Sequence, residues 1–283
     1  MPAALSIGQC AELACLLEAT APKVGNVHRG ADFEDLSFTD FALSAVAIGP
    51  AMDRAAVAGV GLTALDSIRA TRQLIASNTN LGIVLLLAPL AAVPRAAPLD
   101  SGVREVLRGL TTEDSRLVYE AIRLAQPGGL GTVQTMDVAG APPPDLLAAM
   151  HAAADRDLIA RQYAEDFSLL WREVVPALVG GPKRGWSLTE TIIHTHITLI
   201  ARYGDTLIAR KCGAQTAAEI SALAGAGLKR GGPGDESYYV FLEDFDFFLR
   251  NDGNRRNPGA TADLVAAGLF AALRDELLQP PLD

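Results

Sequence analysis

Apolar residues recur at spacings of three and four along most of the chain, Ala and Leu dominate, and alternating β-branched stretches are scarce. That periodicity predicts one helix after another. The expected helices are 4–20, 38–50, 61–76, 80–92, 100–109, 112–125, 143–153, 156–176, 188–203, 215–227, 236–250 and 259–278. Three starts pair a small hydroxyl with an acid three residues later: Ser37 with Asp40, Thr111 with Asp114, and Ser187 with Glu190. Such pairs satisfy the free N–H groups of a first turn reciprocally. Gly128-Gly129-Leu130-Gly131, Ala141-Pro142-Pro143-Pro144 and Gly180-Gly181-Pro182-Lys183 are the clearest breaks. No polar linker surrounds the proline run and no repeat is visible. Residues 1–283 are therefore expected to form a single all-α domain, a bundle of roughly a dozen helices.

Composition sharpens this picture. Hydrophobic residues make up 49% of the chain and charged residues 20%, enough apolar material for a core and no case for disorder. A net charge of −9 argues against a nucleic-acid partner, which would favour a basic face. It leaves room for a small phosphorylated substrate gripped by local cations and a metal ion. The longest apolar run, Leu81 to Val93, is too short for a membrane span and contains Pro89. It is expected to be a core helix. Residues Met1 to Gln9 lack the pattern of a secretory signal. The three cysteines, Cys10, Cys15 and Cys212, show no CxxC spacing, which fits free thiols in a reducing cytoplasm.

Four polar stretches interrupt the helical background. In Ala21 to Asp35, Lys23, His28 and Arg29 sit beside glycines that let a backbone approach a phosphate, and Asn26 lies among them. Asp32, Glu34 and Asp35 follow, hard oxygen donors suited to Mg²⁺ on a polyphosphate. A solvated loop of compensating charges is the bland alternative. In Ser77 to Gly82, either Asn78 or Asn80 can cap the next helix, which leaves the other to contact a ligand. The third stretch, Tyr203 to Arg210, follows a helix carrying His194 and His196. Two residues apart means about 200° of rotation, so these histidines cannot share a metal. His196 shares a stripe with Ile192, Leu199 and Tyr203 and is expected in the core. His194 aligns with Thr198, and with Asp205 if the helix reaches that far, so Asp205 is a candidate. The fourth stretch, Asn257 to Asp263, looks like a helix start with Asn257 as cap and Pro258 at the first position. Its free amides, including that of Gly259, would make an anion site, and Asp263 would face a cation or metal.

Other features carry less. Gly225 to Gly232 approaches a nucleotide loop but has Arg230 where the third glycine belongs and no preceding strand. Glu243 and Asp246 lie on adjacent turns among aromatics, as on an amphipathic helix edge. No Walker loop, GxSxG elbow or HExxH occurs, which removes support for hydrolase and kinase readings.

In order and spacing, Pro22-Lys23-Val24-Gly25-Asn26-Val27-His28, Asn78-Thr79-Asn80-Leu81-Gly82, Gly204-Asp205-Thr206 and Pro258-Gly259-Ala260-Thr261-Ala262-Asp263 resemble the signature segments of triphosphoribosyl-dephospho-CoA synthases. The similarity runs from about Ala11 to Arg274. It implies an all-helical fold and a transferase that joins ATP to 3′-dephospho-CoA with loss of adenine. Attack by a ribose hydroxyl on the ribosyl C1 passes through an oxocarbenium-like state that a carboxylate stabilises, while Mg²⁺ and Lys23 hold the triphosphate. The resemblance points to Asp205 for that carboxylate, Asp263 next, and Asp32, Glu34 or Asp35 as competing metal ligands. Lys23, Asn26, His28, Arg29, Asn78, Asn80, Arg210, Asn257 and Gly259 are the candidate nucleotide contacts. Two departures stand out. The family's second segment commonly reads Asn-Thr-His-Lys-Gly, and Asn80-Leu81 replace its His-Lys here. After Asp205-Thr206 the family tends to Arg-Gly-Gly, whereas Arg210 is followed by Lys211-Cys212-Gly213. A different acceptor, such as a precursor of a pterin or other C1 carrier, is thus open, as is a catalytically silent nucleotide-binding scaffold. The alanine-rich 259–278 helix could pair two subunits in a homodimer or lie in an internal core.

Overall fold

The computed structural model describes residues 4–127 and 138–282, so the expected break at Gly128-Gly129-Leu130-Gly131 lies outside the described residues. Among those described there are fifteen α-helices and no β-strand. A capping box between Ser6 and Gln9 starts α1 (Ile7–Thr20), three residues later than the apolar pattern suggests. The next four are α2 (Phe38–Asp53), the single turn α3 (Ala55–Ala58), α4 (Val60–Leu74) and α5 (Leu81–Ala92). Then come α6 (Leu99–Arg108), α7 (Thr112–Ala125), α8 (Leu146–Ala153) and α9 (Leu158–Ala164). A π-helical turn at Leu170–Val174 leads into α10 (Val175–Gly180) and a 3₁₀ turn at Pro182–Arg184. The chain ends in α11 (Leu188–Tyr203), α12 (Thr206–Cys212), α13 (Ala214–Leu228), α14 (Glu236–Arg250) and α15 (Gly259–Arg274).

All three expected capping boxes form, with both reciprocal bonds, at the starts of α2, α7 and α11. Helices α7, α11 and α14 have the expected bounds. The 156–176 expectation fails in its middle. Asp166 and Phe167 take positive φ of 52° and 59°. This ends α9 and turns the Phe167 ring into the core, 5.9 Å from Tyr163. The energy of a buried aromatic overrides local helix preference there. Helix α11 stops at Gly204, whose φ is 67°, so it does not reach Asp205. Asp205 instead caps the seven-residue α12, which is too short for periodicity to reveal.

Two helices form the centre. In α5 every residue except Gly82 is buried, and in α15 every residue except Gly259 and Asp263. Helix α15 packs against α1, α5, α10 and α11, and α5 also meets α2, α4 and α6. The alanine-rich helix is therefore core within this chain, with no face left for pairing subunits. Small side chains let its neighbours approach closely from all sides. No described helix is long and apolar enough to cross a membrane.

Candidate functional site

One accessible residue of each central helix meets the other, Gly82 on α5 and Asp263 on α15. A Cβ placed on Gly82, in the first turn of α5, would stand 2.0 Å from Asp263 Oδ2 and 2.7 Å from its Cγ. The Asp263 carboxyl thus rests on the bare α-carbon of Gly82, and only glycine permits that approach. Asp263 has no hydrogen-bond partner or ion pair among the described residues, and it stays partly accessible. Burial pushes its carboxyl well above the usual carboxylate range. The charges of Glu18, Asp205 and Asp157 add to this, and Arg210 partly offsets it. A free carboxyl that favours its protonated form is costly to maintain and is a hallmark of functional sites.

The other segments build the walls. Lys23 is fully buried and its ammonium pairs with Glu18 at 2.7 Å while donating to the Glu18 carbonyl. Glu18 itself is buried in the last turn of α1. The loop after Lys23 is held by residues distant in sequence. Gly25 has φ of 70° and presses on Leu249 and Pro258, so its N–H reaches Asp246 Oδ1 at 2.7 Å. Asp246 also pairs with Arg250, whose guanidinium donates to the Asn26 carbonyl. The first segment is thereby pinned between α14 and the start of α15.

Asp205 is buried and uses both oxygens within the protein. Oδ1 accepts from the N–H groups of Leu207 (2.8 Å) and Ile208 (3.1 Å), and Oδ2 from Thr261 N–H and Thr261 Oγ1 (both 2.8 Å). One carboxylate caps α12 and fills the N-terminus of α15, where the sequence suggests an anion site. Burial raises its pKa against these four bonds. Helix α15 begins at Gly259 as the expected 259–278 helix does, but Pro258 rather than Asn257 sits in the cap position. The Asn257 carbonyl accepts the Gly259 N–H at 3.0 Å, and its side-chain Oδ1 has no partner among the described residues. His196, fully buried as expected, brings Nε2 to 3.1 Å from Thr261 Oγ1 and 3.2 Å from the Pro258 carbonyl. Burial, with Lys23 nearby, pushes its pKa down to about 3, so it is neutral.

In the second segment Asn78 does the capping, through Oδ1 to the Leu81 N–H at 3.1 Å. Asn80 is the surplus amide. It is buried, donates to Thr71 Oγ1 at 3.0 Å, and leaves its Oδ1 without a partner among the described residues. Arg210 lies on α12 and pairs with Asp157, the cap of α9, at 2.9 Å. His28 accepts the Gly30 N–H on Nδ1, and Arg29 is exposed. Asp32, Glu34 and Asp35 are exposed, and Asp32 Oδ1 is taken by the Phe38 N–H. Among the described residues no three His, Cys, Asp or Glu side chains gather as a metal cage would require. Asp32, Glu34 and Asp35 thus form no closed cage for a resident ion.

A family model described as CitG, ATP:dephospho-CoA triphosphoribosyl transferase, matches residues 4–281. The chain belongs to this family. A crystal structure from Archaeoglobus fulgidus, of a protein provisionally named triphosphoribosyl-dephospho-CoA synthase, aligns with a TM-score of 0.64 and 24% identity. The alignment covers 83% of this chain and 99% of that one, and it establishes the shared fold. No curated protein sequence matches at a significant level. Family membership makes the chain an all-α transferase of the triphosphoribosyl-dephospho-CoA synthase type. Of the four segments that resemble the family's signatures, the second touches Asp263 through Gly82, the third binds Thr261 two residues before it through Asp205, and the first packs on Pro258 at the start of the same helix through Gly25.

Several contributors are not evident from the sequence. Glu18 had one legible signal: an acid in the last turn of a helix opposes the macrodipole, so another force must hold it. Thr261 sits inside the Pro258-to-Asp263 segment but has no chemistry that singles it out. Gly82 likewise needed the fold, because its role is defined by what lies 2.0 Å away.

Proposed function

We propose that this member moves the triphosphoribosyl group of ATP onto a ribose hydroxyl of a dephospho-CoA-like acceptor, with Asp263 as the carboxyl that acts on the reacting ribose. The observation that carries the reading is Asp263 itself: its carboxyl unpartnered among the described residues, partly accessible, seated against Gly82 and two residues from Thr261, which Asp205 holds. The C1–N9 bond breaks with its electron pair moving to adenine, and the acceptor oxygen forms the new bond to C1. Adenine needs a proton to leave, and a carboxyl biased toward its protonated form supplies one. The proton count closes because the acceptor hydroxyl loses a proton as adenine gains one. Once ionised, the same carboxylate stabilises positive charge on the ribosyl ring. Asp205 is assigned a bracing role, since its four hydrogen bonds occupy the lone pairs a substrate would need.

Magnesium enters this scheme with the nucleotide, as an ion carried on phosphate oxygens. The three free cysteines suit a cytoplasmic site of action. Incubation of the purified protein with ATP, Mg²⁺ and dephospho-CoA should release adenine in step with loss of the acceptor, read by chromatography. No adenine with any acceptor would refute the transfer. A C1-carrier precursor as acceptor is the second reading, favoured by Asn80 and Leu81, both buried where the family pattern has a histidine and a lysine. It is identified by adenine release that requires such a precursor and leaves dephospho-CoA untouched.

A further inference from the structure

We infer that Thr261 and His196 are positioning residues that lock the first turn of α15, and with it Asp263, through a buried hydrogen-bond relay ending on Asp205. The inference rests on Asp263 acting as proposed above. Thr261 has one hydroxyl proton and two acceptors in reach, Asp205 Oδ2 at 2.8 Å and the Pro258 carbonyl at 3.1 Å. The nearer, charged acceptor takes it. The hydroxyl oxygen is then an acceptor, and His196 Nε2 lies 3.1 Å away. The Pro258 carbonyl, 3.2 Å from the same nitrogen, can only accept. Both contacts therefore require a hydrogen on Nε2, which fixes the tautomer with Nδ1 bare. Nδ1 is indeed buried and without a partner among the described residues. Neutral His196 donates to Thr261, Thr261 donates to Asp205, and each bond polarises the next.

The relay matters for chemistry because of what it holds. Asp205 Oδ2 also takes the Thr261 backbone N–H at 2.8 Å, so Thr261 is gripped twice. Asp263 follows two residues later on the same turn and has no hydrogen bond of its own. No side-chain hydrogen bond among the described residues fixes it, so its placement follows the backbone of this turn, with its carboxyl against Gly82. Losing the hydroxyl would remove one of four bonds to a buried carboxylate and loosen the register of α15 where precision counts.

The test compares wild type, Thr261→Val and Thr261→Ser for kcat, KM for ATP, Tm, and the ¹⁵N chemical shifts of histidine-labelled protein. Thr261→Val keeps the shape and removes the hydroxyl. It should lower kcat about 10- to 100-fold, with KM within about threefold of wild type, as misplaced catalytic geometry does. Thr261→Ser should return kcat to within about threefold of wild type. The spectra should show His196 as the Nε2–H tautomer, and its signals should be those that move in Thr261→Val. An undiminished kcat in Thr261→Val, a serine variant as impaired as the valine one, or an Nδ1–H tautomer would each overturn the relay. A wild type that releases no adenine overturns the transfer reading, and the catalytic part of this inference with it.

Discussion

Gly82→Ala isolates the geometry on which catalysis is proposed to rest. The new methyl would stand 2.0 Å from Asp263 Oδ2, whereas ordinary contact begins near 3.4 Å, so the carboxyl must retreat by about 1.4 Å. Gly82 lies in the first turn of α5 with ordinary helical backbone, and alanine there improves helix propensity by up to about 1 kcal/mol. The clash is relieved by rotating the short, partly accessible Asp263 side chain, so net stability should stay within about 1 kcal/mol and Tm within about 3 °C. A reacting group displaced by about 1 Å typically costs about 100-fold in rate, and kcat for adenine release should fall by that order while KM for ATP changes little. Asp263→Ala provides the control. With the carboxyl gone, adding Gly82→Ala should cost no further activity, a coupling that a double-mutant cycle measures directly. A Gly82→Ala enzyme with kcat within about threefold of wild type would refute the claim that Asp263 acts from this seat.

Asp263→Asn should stabilise the fold at neutral and alkaline pH by the order of 1 kcal/mol, about 2–3 °C in Tm, while abolishing transfer. The sign follows from its raised pKa: the folded state binds the proton more tightly, so wild-type stability falls as pH rises through the folded value, and the gain should vanish in acid, checked by thermal melts against pH. If Asp263 donates its proton to adenine, kcat should decline on the alkaline side of that same raised value, and a kcat that rises with pH there would assign it a base role instead. Glu18→Gln leaves the Lys23 ammonium buried without a charge partner and should cost about 3–5 kcal/mol in denaturant melts, most of it recovered by Glu18→Leu combined with Lys23→Met. Arg29→Glu, on an exposed position of the first loop, should raise KM for ATP about tenfold or more with kcat nearly unchanged.

What was legible in the sequence divides along physical lines. Long amphipathic helices were readable, because cap residues and the apolar period are local: α2, α7 and α11 start where their capping boxes say, and α14, which has no side-chain cap, where its apolar period says. The same locality explains the failures. Phe167 leaves the helical region for a tertiary reason, the pull of its ring into the core, and α12 exists because Asp205 can cap it, not because seven residues show a period. At the candidate site, polar residues in an apolar context marked the four segments. Their division of labour was hidden, since it depends on partners far apart in sequence. Asp205 and Asp263 are equivalent as letters. They differ because Thr261, Leu207 and Ile208 consume the lone pairs of one, while the other rests on Gly82 with no hydrogen bond to its side chain among the described residues.

Charge around Asp263 also decides which end of a nucleotide can approach it. Glu18, Asp157, Asp205 and Asp263 supply the acids and Lys23 and Arg210 the cations, and each cation is already matched to an acid, Lys23 to Glu18 and Arg210 to Asp157. A triphosphate carrying several negative charges would be repelled from this interior, where screening is weak. Breaking the Lys23 pair to greet it would strand Glu18 in the core. In the proposed reaction the ribosyl and adenine end therefore faces Asp263, while the triphosphate points away from it to solvent. An acidic interior then favours the chemistry, because the positive charge that builds on the ribosyl ring as adenine departs is the one species these carboxylates attract.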